Sequence, residues 1–393
     1  MDKLQLELFS DLNDVRLEDV FTAYFHCRQH KRRTRNALKF ELNFEHNLIK
    51  LWRQINTGNY EIGRSIAFIV DKPVKREIFA ADFKDRVVHH LLMDKLMSFF
   101  EADFSPQSYS CRPNKGLFYA VNEVKKAIVF AKNTAPQSYI LRLDIQAFFM
   151  SISHPILYQK LKAFCGIYKG LDKNHLLTLL KKIVFHLPQN NCFRKGSLKN
   201  WDGFPAHKSL FSAKKNTGLA IGNLTSQIFA NFYLNDLDKI MEHVPGLFYG
   251  RYVDDLVLIH PKKDVLLALK NEIDTRLRRD FALSLHPKKI YLQPLSNGCP
   301  FLGWWIHPHK IVSRPRLKGS FFKRIHALNF FFETEQVKKP LLLRARCILN
   351  SYFGFLQHYQ TWYLRRKGWI RLSPTIKRYF SIGADLKKIV LKK

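Results

Sequence analysis

Apolar positions along the chain change period several times, and each change marks an element. Ala37, Phe40, Phe44, Leu48, Leu51 and Ile55 recur every three or four residues, the spacing of one helix face. From Ile66 to Ile78 the pattern turns strand-like on both sides of Asp71-Lys72-Pro73. A helix is predicted from Asp85, with Val87, Val88, Leu91, Leu92, Leu96 and Met97 on its buried side. Tyr139 to Asp144 alternates and ends on a carboxylate, as a half-buried strand does. Thr225 or Ser226 is a candidate N-cap for a helix carrying Ile228, Phe229, Phe232, Tyr233, Leu237, Ile240 and Met241. Phe248 to Ile259 reads as two apolar strands with Asp254-Asp255 at the tip between them. From about Ser313 onward the chain is basic and mainly helical in pattern.

Two stretches interrupt this patterning. His30-Lys31-Arg32-Arg33-Thr34-Arg35 is a basic cluster, and Leu187 to Gly218 is a polar segment containing WDGFPAHKSLF. A loop that long inside a compact domain is usually functional or disordered. No internal repeat or low-complexity linker divides the chain.

Composition adds a partner. The 393 residues carry 65 Lys and Arg against 32 Asp and Glu, a net charge of +33. Self-repulsion of that size is relieved by a polyanion, and nucleic acid is the leading candidate over anionic lipid or a merely solvated surface. With 46% hydrophobic residues the chain has the makings of a folded core, and its 33 Phe are packing material first. No run approaches about 18 apolar residues, so no membrane span is expected. The acidic N-terminus lacks a signal-peptide pattern, and the six cysteines include no C-x-x-C pair, so a cytoplasmic protein with reduced thiols is expected.

The chemistry concentrates in carboxylates. An isolated Asp-Asp pair is ordinarily a solvated turn. Here Leu256 to Ile259 set Asp254 and Asp255 beside a core, where like charges repel and unpaired burial costs several kcal/mol, roughly, per group. A hard divalent cation with oxygen ligands answers that problem, and Asp144 at another strand end is the third candidate ligand. Two such ions about 4 Å apart can clamp an in-line phosphoryl displacement. On spacing alone a nuclease remains open.

The ordered motifs KPVKREIFAADFKDRVVHHLL, SYSCRPNKG, YILRLDIQAFFMSISHPIL, GLAIGNLTSQIFANFYLNDLD, RYVDDLVLIH, LSLHPKKIYL and FLGWWI resemble those of reverse transcriptases across nearly the whole chain. The resemblance implies an α+β right-hand polymerase with fingers, palm and a helical thumb. Fingers are expected at 1–117 and 154–220, including an N-terminal helical extension and the insertion near 188–218. The palm is expected at 118–153 and 221–312, and the thumb at 313–393. IGNLTSQ, preceded by WDGFPAHKSLF, is similar to the narrower family of diversity-generating retroelements. That likeness implies error-prone, adenine-mutagenic cDNA synthesis from a template-repeat RNA that diversifies a target gene. It also implies deoxynucleoside triphosphate substrates and a basic pentameric accessory variability protein as partner.

Residue by residue, the resemblance makes Asp144, Asp254 and Asp255 the metal-binding catalytic triad, with the Ile145 carbonyl as a further ligand. Two Mg2+ ions are implied, with Mn2+ as a substitute. Lys72 and Arg76 match triphosphate-binding fingers residues, and Phe149 matches a gate against the ribose 2′-hydroxyl. Ile221, Gly222 and Gln227 fall in the substrate-binding motif. Lys288 or Lys289 is the candidate acid for the leaving pyrophosphate. Arg112 and Tyr252 are expected to contact nucleic acid, with a structural salt bridge as the ordinary role for Arg112. Ile221 stands where the broader bacterial family has Gln, and Ser226-Gln227 where it has Ser-Pro. Loss of a directional hydrogen-bonding side chain there is expected to relax base discrimination.

Two other readings stay open. A group II intron maturase or retron-type enzyme shares the palm, although about 80 residues after Ser313 leave little room for a maturase's extra domains. A non-catalytic basic RNA-binding scaffold is the second, and the intact acids weigh against it.

Overall fold

The computed structural model describes residues 15–29, 34–71, 74–167 and 173–392. Lys72 and most of the basic cluster, His30 to Arg33, lie outside the described residues.

The centre is a four-stranded antiparallel sheet of β3 (Tyr139–Asp144), β5 (Phe248–Tyr252), β6 (Asp255–His260) and β7 (Tyr291–Pro294), in the order β5-β6-β3-β7. Its two faces feed two different cores, as a strand period of two dictates. Leu141, Leu143, Leu256 and Leu258 face one core, which the helices Phe83–Asp103, His154–Ile167 and Leu224–Tyr233 share. Ile140, Val257 and Ile259 face the other, with Trp304, Phe321, Leu349 and Phe353. Fully burying each such side chain contributes about 1.5–3 kcal/mol. The sheet is therefore held from both sides, and its strand ends are fixed in place.

A second sheet has the order β2-β1-β4, from β1 (Ser65–Val70), β2 (Arg76–Ala80) and β4 (Cys192–Arg194). β1 and β2, which the strand-like pattern from Ile66 to Ile78 anticipates, pair antiparallel, while β4 joins β1 in parallel. β4 belongs to the polar insertion, which is thus not a free loop: one strand and four short 3-10 turns order it. Beyond the central sheet, a three-stranded sheet (β8, Cys299–Phe301; β9, Trp304–Ile306; β10, Ile311–Ser313) leads into the helices Pro315–Thr334 and Lys339–Leu356.

Several boundaries differ from the patterning. The helix expected from Asp85 begins at Phe83, because the Asp82 carboxylate caps it from the Lys84 N–H at 3.2 Å. Neither Thr225 nor Ser226 caps the next helix; Asn223 holds that position. The Thr225 hydroxyl instead meets His89 at 2.8 Å, and the Asn223 amide oxygen accepts from the Ala81 N–H. The helix also breaks at Leu234, so Leu237, Ile240 and Met241 lie on a separate helix, Asn235–Glu242. In the described residues no helix is long and apolar enough to cross a membrane.

Candidate active site

Tyr252 pairs with Asp255, so Val253 and Asp254 are the two residues of the turn itself. Val253 has φ 60°, a conformation that a β-branched residue adopts only under constraint. Two backbone contacts supply the constraint. The Arg251 guanidinium donates to the Val253 carbonyl at 3.0 Å, and the Ile145 N–H donates to the Asp254 carbonyl at 3.1 Å. Arg251 is in turn fixed by Asp238, both 0% exposed, through bonds of 2.5 and 2.7 Å. The hairpin tip is held by a buried ion pair about which the apolar pattern says nothing.

β3 brings the third acid. Asp144 is the last residue of β3 and pairs with Asp255 across the sheet. The three carboxyl groups therefore share one end of two adjacent strands. Asp254 shows the consequence: burial, then repulsion from Asp255 and Asp144, pushes its carboxyl up to about 7. Burial also raises Asp255, against the opposing pull of Arg142.

Two cations meet these acids. Lys289 Nζ donates to both oxygens of Asp144, at 2.8 and 2.9 Å, and Arg142 donates to Asp255 at 2.5 Å. Among the described residues no three His, Cys, Asp or Glu side chains are arranged ready to hold a metal. The reason is local, since Asp144 and Asp255 are turned to Lys289 and Arg142. The donor set itself suits a hard cation: oxygen ligands only, mutually repelling, one of them held partly protonated. The Ile145 backbone lies beside them, fixed by Asp254 and by an antiparallel bridge to Leu285.

Two of the expected nucleotide-side residues, Phe149 and Ile221, fall on one small cluster. Phe149, half-buried on the short helix Phe148–Ser151, packs with Ile221 against Ala67, Phe79, Met150, Leu210 and Ala220. Gly222 follows with φ 126°, and a Cβ there would meet Ile78 at 2.9 Å and the Phe79 carbonyl at 3.0 Å. Only glycine lets the chain pass β2 so closely. Gln227 is exposed and accepts from the Cys111 thiol at 3.4 Å, and Tyr252 is half-buried at the end of β5. Arg76 is exposed at the start of β2.

Two expectations change. The Arg112 side chain is 5% exposed and its guanidinium is engaged by Glu101 at 2.9 Å and by the carbonyls of Ser105 and Ser108. These contacts give Arg112 the role of an internal tie, the structural salt bridge that was its ordinary alternative. Of the two lysines, Lys289 reaches the acids, whereas Lys288 is exposed and its backbone N–H donates to His286 Nδ1. Three further residues escaped the sequence reading: Arg142, Arg251 and Asp238. Arg142 stands two positions before Asp144, so strand alternation already placed it on the same face.

A family model described as "Reverse transcriptase (RNA-dependent DNA polymerase)" matches residues 74–306, the span that contains all three acids. Protein YkfC of Escherichia coli (strain K12) is 21% identical over 264 residues, covering 59% of this chain and 61% of that protein. The chain thus aligns with about three fifths of the curated relative's length. Among solved structures, apo telomerase from Candida tropicalis superposes with a TM-score of 0.47 at 13% identity, over 81% of this chain and 59% of that one. Telomerase from Candida albicans in complex with a telomeric RNA fragment gives 0.46 at 12%, over 80% of this chain and 55% of that one. With its family match spanning more than half its length and its three acids gathered at one end of the central antiparallel sheet, the chain belongs to the reverse transcriptase family.

Proposed function

We propose that this chain is an RNA-directed DNA polymerase that extends a primer with deoxynucleotides on an RNA template. The observation that carries the reading is the convergence of Asp144, Asp254 and Asp255 at the end of β3 and the β5–β6 turn. Magnesium fits the donor set; Asp144, Asp254 and Asp255, with the Ile145 carbonyl, would hold it. A divalent ion bound there supplies charge neutralisation for phosphoryl transfer.

The chain's own residues do the rest. Arg251 and Ile145 fix the backbone of the turn, so only the Asp144 and Asp255 side chains must turn from Lys289 and Arg142 to take up an ion. Lys289, already within 3 Å of Asp144, is the ammonium positioned to hand a proton to departing pyrophosphate. Arg76, at the start of β2, would help hold the triphosphate, a role the resemblance also gives to Lys72. Phe149 excludes a 2′-hydroxyl, and Gly222 keeps the backbone close to β2. The domain assignment follows the same plan, with the two-core sheet as palm and the C-terminal helices as thumb.

Within the family, we place the chain among diversity-generating retroelement enzymes, copying a template-repeat RNA mutagenically with a basic accessory protein as partner. IGNLTSQ and the ordered insertion support this. Ile221 is the residue that would relax fidelity, since its half-buried side chain can pack but not hydrogen-bond. RNA-templated extension in Mg2+ tests the general reading: no cDNA from the wild-type chain with its native RNA and partner refutes it. Sequencing the cDNA of Ile221→Gln tests the narrower one, which expects fewer errors opposite template adenine than wild type. Equal adenine error rates refute it.

A further inference from the structure

The insertion is joined to the nucleotide side of the site through one buried carboxylate. Glu77, on β2, is only 2% exposed. Its Oε1 accepts from the Trp201 indole N–H at 2.8 Å and the Ser209 hydroxyl at 2.9 Å, and its Oε2 from the Leu210 N–H at 2.6 Å. All three donors belong to the insertion. Strand alternation accounts for the placement: Glu77 and Phe79 point inward while Arg76 points out. A glutamate at an inward strand position needs such partners, because leaving it unpaired is costly.

What Glu77 ties down then supports the two specificity candidates. Leu210 and Phe79 are buried together, and Phe211 stacks obliquely on Phe79 with ring centres 5.3 Å apart. Arg194 lies 4.0 Å over the Phe211 ring and 5.6 Å from the Trp201 ring, closing the outer side. Phe149 and Ile221 both rest on this cluster. Backbone bonds complete the connection: Phe79 N–H to the Ile221 carbonyl at 2.9 Å, and Leu219 N–H to the Phe149 carbonyl at 2.7 Å. Gly218 leaves no gap, since a Cβ there would stand 2.6 Å from Leu210. One packed path therefore runs from Glu77 through Leu210 and Phe79 to Ile221 and Phe149.

We infer that Glu77 is a positioning residue: it clamps the 188–218 insertion behind Phe149 and Ile221 and so sets how tightly the site grips the incoming nucleotide and rejects a ribose. The inference rests on the polymerase reading above, in which Phe149 and Ile221 face the nucleotide. Glu77 itself touches no substrate; it acts through the wall that those two residues lean on.

Glu77→Gln is the sharpest perturbation. It keeps the shape but sets an amide NH2 against one of three donors, so one contact turns repulsive. Trp201→Phe removes a single donor while keeping an aromatic ring. Single-nucleotide insertion by the full chain on an RNA template, with each dNTP and its rNTP counterpart, reads the effect. Glu77→Gln is expected to weaken apparent dNTP affinity and to narrow the dNTP-over-rNTP preference by about two- to thirtyfold, the range for a residue coupled to a site it does not touch. The maximal insertion rate stays within about twofold of wild type, because the acids are untouched. Trp201→Phe shifts both quantities in the same direction by less.

Wild-type affinity and sugar preference in both variants overturn the inference. So does a fall in maximal rate with affinity and preference unchanged, since that is the signature of general structural damage. If Glu77→Gln does not fold, Trp201→Phe decides by the same criteria. If the wild-type chain inserts no nucleotide even with its native RNA and partner, the polymerase reading falls and this inference with it; unchanged variants in an active protein sink the inference alone.

Discussion

Arg251→Met tests whether the catalytic turn is held by a buried ion pair. The guanidinium makes two bonds to Asp238, of 2.5 and 2.7 Å, with both residues 0% exposed, so solvent does not screen the pair. It also donates to the carbonyls of Val253 and Asn231 and to the Ser108 hydroxyl. Methionine fills most of the volume but leaves the Asp238 carboxylate with the Tyr249 hydroxyl, at 2.6 Å. Breaking one side of a buried pair costs about 3–5 kcal/mol. Asp238→Leu removes the other charge, and the double variant is expected to fall short of the sum of the singles by about 2–3 kcal/mol. Urea titration followed by tryptophan fluorescence measures all three, with midpoints compared at matched slopes. A loss below about 1 kcal/mol for Arg251→Met, the range of exposed pairs, refutes the reasoning. Strictly additive singles refute it too, because independent sites do not share a charge.

Metal and pH are coupled through Asp254. Its carboxyl sits at about 7 in the fold against an ordinary 3.8, so the folded protein holds a proton that the unfolded chain releases between those values. The stabilisation this gives is full below about pH 4 and lost as pH rises through about 7, with a slope of at most about 1.4 kcal/mol per unit. A cation binds the ionised form, so Mg2+ is expected to raise the melting temperature more at pH 8 than at pH 6. An Mg2+ effect independent of pH across that interval contradicts the assignment. Arg112→Ala is expected to cost about 1.5–3 kcal/mol, the worth of charged hydrogen bonds, while leaving the salt dependence of RNA binding unchanged. A slope reduced by about one would restore Arg112 as a phosphate contact.

How much was legible depended on whether a feature is local. The β5–β6 hairpin was visible because Phe248 to Ile259 is apolar on both sides of Asp254-Asp255, and β6 is buried on both faces. Asp144 was visible as a strand-end acid, and register then set it opposite Asp255. Thr225 was misassigned as a cap because its better partner, His89, lies 136 positions away. Lys288 and Lys289 were equal candidates because only tertiary placement shows which neighbour reaches Asp144, and Arg142 was missed although strand alternation puts it on the face of Asp144. The insertion read as polar and loop-like because its anchors are one each: a single glutamate and a few rings meeting residues far away in sequence. A glutamate inside REIFA, at an inward position, was the available signal. The closing hairpin Phe380–Ile382 with Ile389–Leu391 was hidden by the helical character of its surroundings.

The central claim is that Asp144, Asp254 and Asp255 form a polymerase centre, and Asp254→Asn measures it most directly. Single-turnover extension of a primer on an RNA template in Mg2+, by wild type and variant at equal RNA occupancy, is the assay. The substitution removes one charge from the turn and leaves its volume and the Arg251 and Ile145 backbone contacts in place. Extension is expected to fall by about 10³-fold or more, the several kcal/mol that metal-held carboxylates contribute, while RNA affinity is unchanged. Extension within about tenfold of wild type, a barrier change of only about 1.4 kcal/mol, would contradict the account.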